Sequence, residues 1–236
     1  MKLEVNNQSE VFKYINLITK YLKEHDDFFT YNEKERIKVA LCNFSSGYNL
    51  YDYLCLQICD ELGLLPDDQN PYKVFSEVLN EEFNIENKRI KEIGGGKLLR
   101  IGKRISNIQD MGTITIYDTN LLIKDGCYPN LRILKKKFKD SIDANSADVL
   151  IGMLAYTSAG VVVKSAIEKN IDFMIALFDK QNPYLFCEGN ESNFNQLEEF
   201  VDNTSQAVAN SGLGKLKIKR FKEIGEQYPI IYNDRR

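Results

Sequence analysis

The sequence has 236 residues and a formal net charge of −3, with 43% hydrophobic and 28% charged residues. This composition is typical of soluble globular proteins, and the length allows one large domain or two small ones. No run of about 18 apolar residues exists that could span a membrane, and the N-terminus lacks the apolar block of a secretory signal. A cytoplasmic protein without a membrane partner is therefore predicted.

Charge is distributed unevenly along the chain. Residues 1–87 hold 8 basic and 16 acidic side chains, whereas residues 88–140 hold 13 basic and 5 acidic ones, a local balance of +8. A segment of one sign can attract a polyanion such as nucleic acid, and it can equally dock against an acidic surface. Both interpretations stay open on charge alone.

The residues that most often bind metals are few and scattered. Five cysteines are present without a C-x-x-C pair, and Cys55 and Cys59 are spaced to share one helix face beside apolar neighbours, which is typical of buried structural thiols. The lone histidine, His25, lies among acidic residues whose side chains point in different directions, which favours a solvated helix end over a metal site. Neither a metal nor another cofactor is predicted.

The first 87 residues are predicted to form an acidic, mainly helical part. Apolar side chains recur every three or four residues in the segments 8–24, 48–64 and 71–83, which predicts three helices. The segment 36–44 fits either a strand or a helix. No phosphate-binding or catalytic motif is recognised in this part.

From residue 88 onward the pattern favours short strands. Gly94-Gly95-Gly96 is predicted to form a flexible turn. The segment 97–105 that follows alternates apolar and basic residues, which predicts a strand with a bulge at Gly102. The segment 112–126 predicts a β-hairpin, because 113–117 is rich in β-branched residues and 118–120 has turn chemistry. The remaining predicted elements are, in chain order, a basic helix beginning near Pro129, a helix or strand over 148–156, a strand over 160–163, a second hairpin over 175–189, a helix over 193–210, a strand over 216–221 and a frayed tail.

The two predicted hairpins repeat one arrangement. ITIYD (114–118) and LLIKDG (121–126) match IALFD (175–179) and YLFCEG (184–189), and a predicted helix follows each pair. Such a repetition indicates a duplicated supersecondary unit that shares one core. The strand–turn–strand–helix pattern resembles the repeats of TATA-binding-protein-like domains, as in the substrate-binding domain of type III ribonucleases H and in toxins of the RNase LS type.

This resemblance implies a curved antiparallel sheet with helices on one face and an open face for nucleic acid or a partner. The predicted fold class is therefore α+β, with a mainly helical part (1–87), an antiparallel domain of two hairpin–helix repeats (88–220) and a tail (221–236). Enzymatic activity is not favoured. The predicted function is a nucleic-acid-binding or regulatory module with DNA or RNA as partner and, by resemblance, a role in microbial defence or a toxin system.

Basic side chains on the predicted sheet and helix are the candidates for phosphate contacts. Such contacts position a nucleic acid without reading its sequence, and they weaken as salt rises. An alternative is a protein–protein adaptor or homodimer, in which the basic segment meets acidic helices. The predicted nucleic-acid-binding residues are Lys97, Arg100, Lys103, Arg104, Arg132, Lys135, Lys136 and Lys139.

A metal-dependent nuclease is the third hypothesis. YDTN (117–120) resembles the opening Asp-Thr-Asn of PIN-type nucleases, and Asp118 with Asp148 would supply the first carboxylates. Such a site needs three or four converging carboxylates, and about thirty residues between the two leave little room for the intervening helices. Asp118 and Asn120 are therefore predicted to form a turn, and no catalytic residue is assigned.

Overall fold

The chain forms two compact units, Met1–Pro71 (unit 1) and Tyr72–Arg236 (unit 2). The computed structural model describes residues 5, 7–47, 50, 52–67, 70–108, 112–119, 130–139, 141–154, 156–177, 191–219 and 229–236. Its helices are α1 (Gln8–Glu24), α2 (Tyr31–Ser45), α3 (Tyr53–Glu61), α4 (Pro71–Phe83), α5 (Arg100–Ser106), α6 (Ser141–Ala144), α7 (Tyr156–Lys169) and α8 (Glu191–Ser211). Its strands are β1 (Arg89–Ile93), β2 (Thr113–Tyr117), β3 (Leu131–Leu134), β4 (Val149–Leu154), β5 (Asp172–Leu177), β6 (Lys215–Lys219) and β7 (Ile230–Asp234).

Unit 1 is helical where the structure describes it. The predicted helix over 8–24 is confirmed as α1, and the ambiguous segment 36–44 lies within α2. Ile37, Leu41 and Phe44 of α2 are all buried, because their spacing of four and three places them on one helix face. The ring of Tyr14 on α1 meets Phe44 edge-on, with 6.3 Å between the ring centroids.

The start of α2 offers a direct test of local helix stability. The Thr30 hydroxyl oxygen accepts a hydrogen bond from the Glu33 backbone N–H at 3.4 Å, and the Glu33 carboxylate accepts one from the Thr30 backbone N–H at 2.8 Å. Because this capping box satisfies two backbone donors, Thr30→Ala is expected to lower the free energy of unfolding by about 1 kcal/mol. Urea unfolding followed by circular dichroism measures the change.

A serine at the other end of the same helix provides the control. The Ser45 hydroxyl donates to the Cys42 carbonyl oxygen, a bond that water can replace at an exposed helix end. Ser45→Ala is therefore expected to change the free energy of unfolding by less than about 0.5 kcal/mol. Equal losses for the two variants would contradict a special contribution of the capping box.

Unit 2 contains a seven-stranded sheet in the order β3-β2-β1-β4-β5-β7-β6. The five strands β1 to β5 are parallel to one another, whereas β7 runs antiparallel between β5 and β6. The uninterrupted apolar runs of β4 and β5 suit parallel strands that are covered on both faces. Helix α5 contacts β2 and β3, and helix α7 contacts β4 and β5.

This sheet corrects the predicted fold class. The strand over 113–117 exists as β2, but both of its neighbours, β1 and β3, are parallel to it. It is therefore not the first strand of an antiparallel hairpin. Strand β5 is parallel to β4, and its antiparallel neighbour is β7, more than fifty residues later in the chain, and not the second strand of a hairpin. The curved antiparallel sheet of two hairpin–helix repeats is wrong. The predicted second strands of the hairpins, at 121–126 and 184–189, lie outside the described residues.

Four predicted elements have a different structure from the one expected. The segment 97–105 is a turn followed by α5, and the segment after Pro129 contains strand β3 where a basic helix was predicted. Residues 160–163 lie inside α7, where buried Val162 and Val163 face the core. The predicted frayed end contains β7, which is buried between two strands. The helix at 193–210 and the strand beginning near 216 are confirmed as α8 and β6.

No helix within the described ranges combines the length and the apolar composition that a membrane span requires.

Candidate functional site

The strand order identifies where a ligand site is expected in unit 2. From β1 the chain builds outward through β2 and β3 on one side, and it then crosses to β4 and β5 on the other side. In open α/β sheets the crevice at such a reversal, outside the carboxyl ends of the strands, is the usual binding position. The reversal here lies between β1 and β4, so the residues after Ile93, at the end of β1, become candidates. The residues after Tyr117, at the end of the adjacent strand β2, lie at the same edge of the sheet.

A glycine-rich turn, Gly94-Gly95-Gly96, follows β1 directly. Gly94 and Gly96 have φ angles of 72° and 69°, a left-handed conformation that other residues rarely adopt. A Cβ on Gly95 would lie 2.5 Å from Cγ2 of Ile116, so the turn is held closely against β2. The Gly94 N–H donates to the Tyr117 carbonyl oxygen at 2.8 Å, which fixes the turn to the end of β2.

Asp118 follows β2 and contacts this turn. Its Oδ2 accepts a hydrogen bond from the Gly96 backbone N–H at 2.9 Å, and its own N–H donates to the Leu134 carbonyl oxygen at 3.3 Å. The carboxylate is half-buried at the carboxyl end of the sheet. An ionised carboxylate accepts several hydrogen bonds at once, so Asp118 is able to hold the turn and a ligand together.

Glu92 lies under the turn, one residue before the end of β1. Its side chain is 1% exposed, and its Oε2 has no hydrogen-bond partner in the described part of the chain. Oε1 lies 3.4 Å from the position that a Cβ on Gly95 would occupy. Burial and, to a smaller extent, the charge of Asp118 raise the pKa of the Glu92 carboxyl to about 8, against the opposing effect of a hydrogen bond from the Gly102 backbone N–H.

Gly102 brings α5 close enough to cover Glu92. A Cβ at this position would lie 2.5 Å from Cδ1 of Ile116 and 2.9 Å from Oε2 of Glu92. The bulge predicted at Gly102 is therefore wrong, and the residue acts instead as a contact point between helix and sheet. A glycine in this role is a known part of nucleotide-binding βαβ units, where it permits close packing of helix against strand.

The structure separates the two carboxylates of the nuclease hypothesis. Asp118 follows β2 at the carboxyl end of the sheet, whereas Asp148 precedes β4 at the amino end. Because β2, β1 and β4 are parallel, about five residues of strand, roughly 15 Å, lie between the two ends. Asp148 forms a bidentate pair with Arg89, with 2.6 Å from Nη2 to Oδ1 and 3.0 Å from Nε to Oδ2. A shared metal site is therefore excluded.

Within the described ranges, no group of three or more histidine, cysteine, aspartate or glutamate side chains is arranged to hold a metal ion.

The basic residues predicted to bind nucleic acid lie in four environments. Lys97 and Arg100 are buried, with 7% and 9% of their surface exposed, in the turn before α5 and at its first position. Lys136 pairs with Asp143 at 2.6 Å; burial alone raises the pKa of the Asp143 carboxyl, but hydrogen bonds from Lys136 and the Lys139 backbone lower it overall. Lys103 and Arg104 are half-buried on α5, and Arg132, Lys135 and Lys139 are exposed on or after β3.

The sequence patterns did not connect the glycine turn with Asp118, although the two form the candidate site together. Gly94–Gly96 was interpreted as a flexible turn, and Asp118 as a turn former. The signal that joins them is an acidic residue 22 positions beyond Gly96, at the end of the next strand, a spacing typical of nucleotide-binding βαβ units. The strand prediction for 97–105 concealed this signal, because it replaced the helix that such a unit requires. Glu92 itself was not singled out.

No family model matches the sequence, and no match is found among curated proteins. Among solved structures, the chain is similar to an O-methyltransferase family protein from Burkholderia thailandensis (TM-score 0.44, 12% identity, 71% of this chain and 58% of that one). It is also similar to human N-acetylserotonin methyltransferase in complex with SAM (0.46, 14%, 76% and 55%) and to Burkholderia thailandensis 1,6-didemethyltoxoflavin-N1-methyltransferase (0.44, 11%, 77% and 88%). The chain spans little more than half the length of the first two.

The predicted resemblance and the function drawn from it require correction. TATA-binding-protein-like repeats need an antiparallel sheet of hairpins, and the sheet of unit 2 is parallel over β1 to β5. The internal repeat is wrong with that sheet, and so is the nucleic-acid-binding or regulatory module that was placed beside it. The expectation that the protein is not an enzyme is wrong as well. The three solved structures named above are methyltransferases.

Proposed function

We propose that unit 2 binds S-adenosyl-L-methionine at the carboxyl ends of β1 and β2 and catalyses transfer of its methyl group. The observation that carries the proposal is the Gly94–Gly96 turn at the reversal of the strand order, with Asp118 bonded to it and Glu92 buried beneath it. In doubly wound sheets, a glycine turn after the first strand and an acidic residue after the second bind a nucleoside.

The groups around the turn favour a cationic ligand over a phosphorylated one. A pyrophosphate is bound by N–H groups that point toward it, but the Gly96 N–H already donates to Asp118. The Asp118 and Glu92 carboxyls both lie at the turn, and an ionised carboxylate repels a phosphate at short range. The sulfonium and ammonium groups of S-adenosyl-L-methionine are cationic, so its charge matches that of the site.

Each residue has a distinct task in this proposal. The Asp118 carboxylate accepts hydrogen bonds from the ribose hydroxyls and keeps the turn in place through Gly96. The Gly94–Gly96 turn, which carries no side chain beyond Cα, lets the ligand approach the backbone. Glu92, with its unpaired Oε2, lies beneath the turn and supplies a second negative charge when it is ionised. When bound, S-adenosyl-L-methionine supplies an electrophilic methyl group for a nucleophile of the acceptor substrate.

The test measures binding of S-adenosyl-L-methionine by isothermal titration calorimetry. Asp118→Ala is expected to weaken binding 10- to 100-fold, because each hydrogen bond to a charged group contributes about 1.5–3 kcal/mol. Asp118→Asn is expected to fall between the wild type and alanine, since the amide oxygen still accepts from Gly96 but the negative charge is lost. Circular dichroism confirms that the variants are folded.

Asp148→Ala is the matched control, because it removes the same side chain at the opposite end of the sheet. It is expected to leave the dissociation constant unchanged. NAD is titrated in parallel as a nucleotide that carries a pyrophosphate. Absence of binding by S-adenosyl-L-methionine, or tighter binding of NAD with the same dependence on Asp118, would overturn the proposal.

A further inference from the structure

Glu92 is a buried carboxyl group that the fold leaves incompletely bonded. It is 1% exposed, it accepts a hydrogen bond from the Gly102 N–H, and its Oε2 has no partner among the described residues. An unpaired polar atom in such a position is costly, because it has lost water and gained nothing in return. A neutral aliphatic side chain of similar size would fill the same space without that cost.

The groups that face Glu92 keep it protonated in the free protein. Its register partners on the two neighbouring strands, Ile116 on β2 and Ile151 on β4, are apolar. Asp118, at the end of β2, disfavours a second negative charge, and burial raises the pKa of Glu92 to about 8. The basic residues of the following turn and α5 are Lys97, Arg100, Lys103 and Arg104, and the Gly102 N–H is the donor that opposes the rise in pKa.

We infer that Glu92 selects for cationic ligands by losing its proton when one binds, so that uptake of S-adenosyl-L-methionine releases a proton and uptake of neutral S-adenosylhomocysteine does not. The inference rests on the proposed function, since it concerns the same turn and the same ligand. The proton passes from the Glu92 carboxyl to the solvent buffer, and no covalent bond to the ligand forms or breaks. The carboxylate that remains balances the positive charge of the sulfonium group.

Because loss of the Glu92 proton is linked to binding, the affinity for S-adenosyl-L-methionine depends on pH. Ligand binding that removes a proton becomes tenfold tighter for each pH unit, as long as the pH lies between the pKa values of the bound and free states. The affinity for S-adenosyl-L-methionine is therefore expected to rise about tenfold from pH 6.5 to 7.5 and to level off above about pH 8. The affinity for S-adenosylhomocysteine has no such dependence on Glu92, so the ratio of the two affinities increases with pH. A methyltransferase with this property is less inhibited by its product at the upper end of the range, because S-adenosyl-L-methionine then competes better for the site.

Calorimetric titrations in two buffers of different ionisation enthalpy count the protons directly. At pH 7 the wild type is expected to release close to one proton with S-adenosyl-L-methionine and none with S-adenosylhomocysteine. Glu92→Gln, which imitates the neutral carboxyl in shape, is expected to abolish the release and to make the affinity for S-adenosyl-L-methionine at least tenfold weaker at pH 8. Its affinity for the neutral ligand is expected to stay within about threefold.

The outcomes separate this inference from the proposed function. Binding of both ligands with equal proton counts in the wild type would overturn the role of Glu92 and leave the proposed function standing. Proton release that persists in Glu92→Gln would do the same, because the proton would then come from another group or from the ligand. Failure of the wild type to bind either ligand would overturn the proposed function itself. The proton counts of the wild type with the two ligands need no variant, so they test the role of Glu92 even if Glu92→Gln does not fold.

Discussion

Replacement of Gly214 by alanine is expected to lower the free energy of unfolding by on the order of 4 kcal/mol. Gly214 precedes β6 with a φ of +87°, and a Cβ there would lie 2.0 Å from the backbone carbonyl oxygen of Asp234 and 2.8 Å from Cα of Arg235. Both atoms belong to the backbone, so the clash cannot be relieved by turning a side chain. Relief requires β6 to separate from β7, with which it forms an antiparallel pair.

Gly212 provides a matched control two residues earlier. It has a similar φ of +77°, but a Cβ there would meet no atom within 4 Å. Gly212→Ala therefore carries only the strain of a left-handed alanine, about 1 kcal/mol. The difference between the two variants, measured by urea unfolding at one pH, isolates the contact with β7. Equal losses would show that backbone strain alone accounts for Gly214 and that β6 and β7 are less tightly packed.

Elements whose structure is determined by their own residues were predicted correctly, whereas elements that depend on contacts with other parts of the chain were not. Helix α8 was predicted because its apolar residues repeat at helical spacing over about four turns, a signal that no neighbour needs to complete. Strand β7 was missed because its five residues are buried between β6 and β5, and β5 lies more than fifty residues earlier in the chain. Residues 160–163 were predicted as a strand from three consecutive valines. Tertiary packing overrode that preference, since Ala159, Val162 and Ala166 form one buried helix face.

Strand order, which decides where the candidate site lies, could not be predicted from local patterns. The segment NLRILKKKF has apolar residues at positions that suit a helix, but Leu131–Leu134 is the edge strand that pairs with β2 in parallel. Once that segment is a strand, the hairpin interpretation of the residues before it fails. Asp118 was noticed from its sequence neighbours, and its significance changed when the Gly96 N–H was found bonded to it. The burial of Glu92 follows from the approach of α5 at Gly102, a contact that no sequence pattern displayed.

Loss of stability with rising pH is the expected signature of Glu92 in the free protein. A carboxyl whose pKa is raised from 4.5 to about 8 in the folded state binds more protons there than in the unfolded chain. Its contribution to stability is therefore fully present below about pH 4.5 and is lost as the pH rises through about 8. The free energy of unfolding is expected to fall by on the order of 4 kcal/mol between pH 5 and pH 8.5 from this group alone.

Other perturbed carboxyls act in a different range. The pKa of the Asp148 carboxyl is lowered by its hydrogen bond from Arg89, and that of Asp143 is also lowered overall despite its burial. Stability that depends on these groups is lost as the pH falls below the usual carboxyl range, which is the opposite sign. The change in the free energy of unfolding between pH 5 and pH 8.5 therefore reports on Glu92 and not on Asp148 or Asp143. This pH range also lies below the one in which the buried Cys59 thiol, with its pKa raised to about 12, changes the free energy of unfolding.

Glu92→Gln is expected to flatten this profile, because the amide has no proton to lose in that range. Guanidinium unfolding at five pH values, with Glu198→Gln on the exposed face of α8 as the control, measures the effect. The control is expected to keep the slope of the wild type. Glu92→Gln is expected to be more stable than the wild type at pH 8.5. At pH 5 it is expected to be no more stable than the wild type. A wild-type profile that rises from pH 5 to pH 8.5, or a Glu92→Gln profile with an unchanged slope, would show that Glu92 is ionised in the free protein. Proton release on ligand binding would then need another source, so the stability profile checks the starting state that the selection of cationic ligands requires.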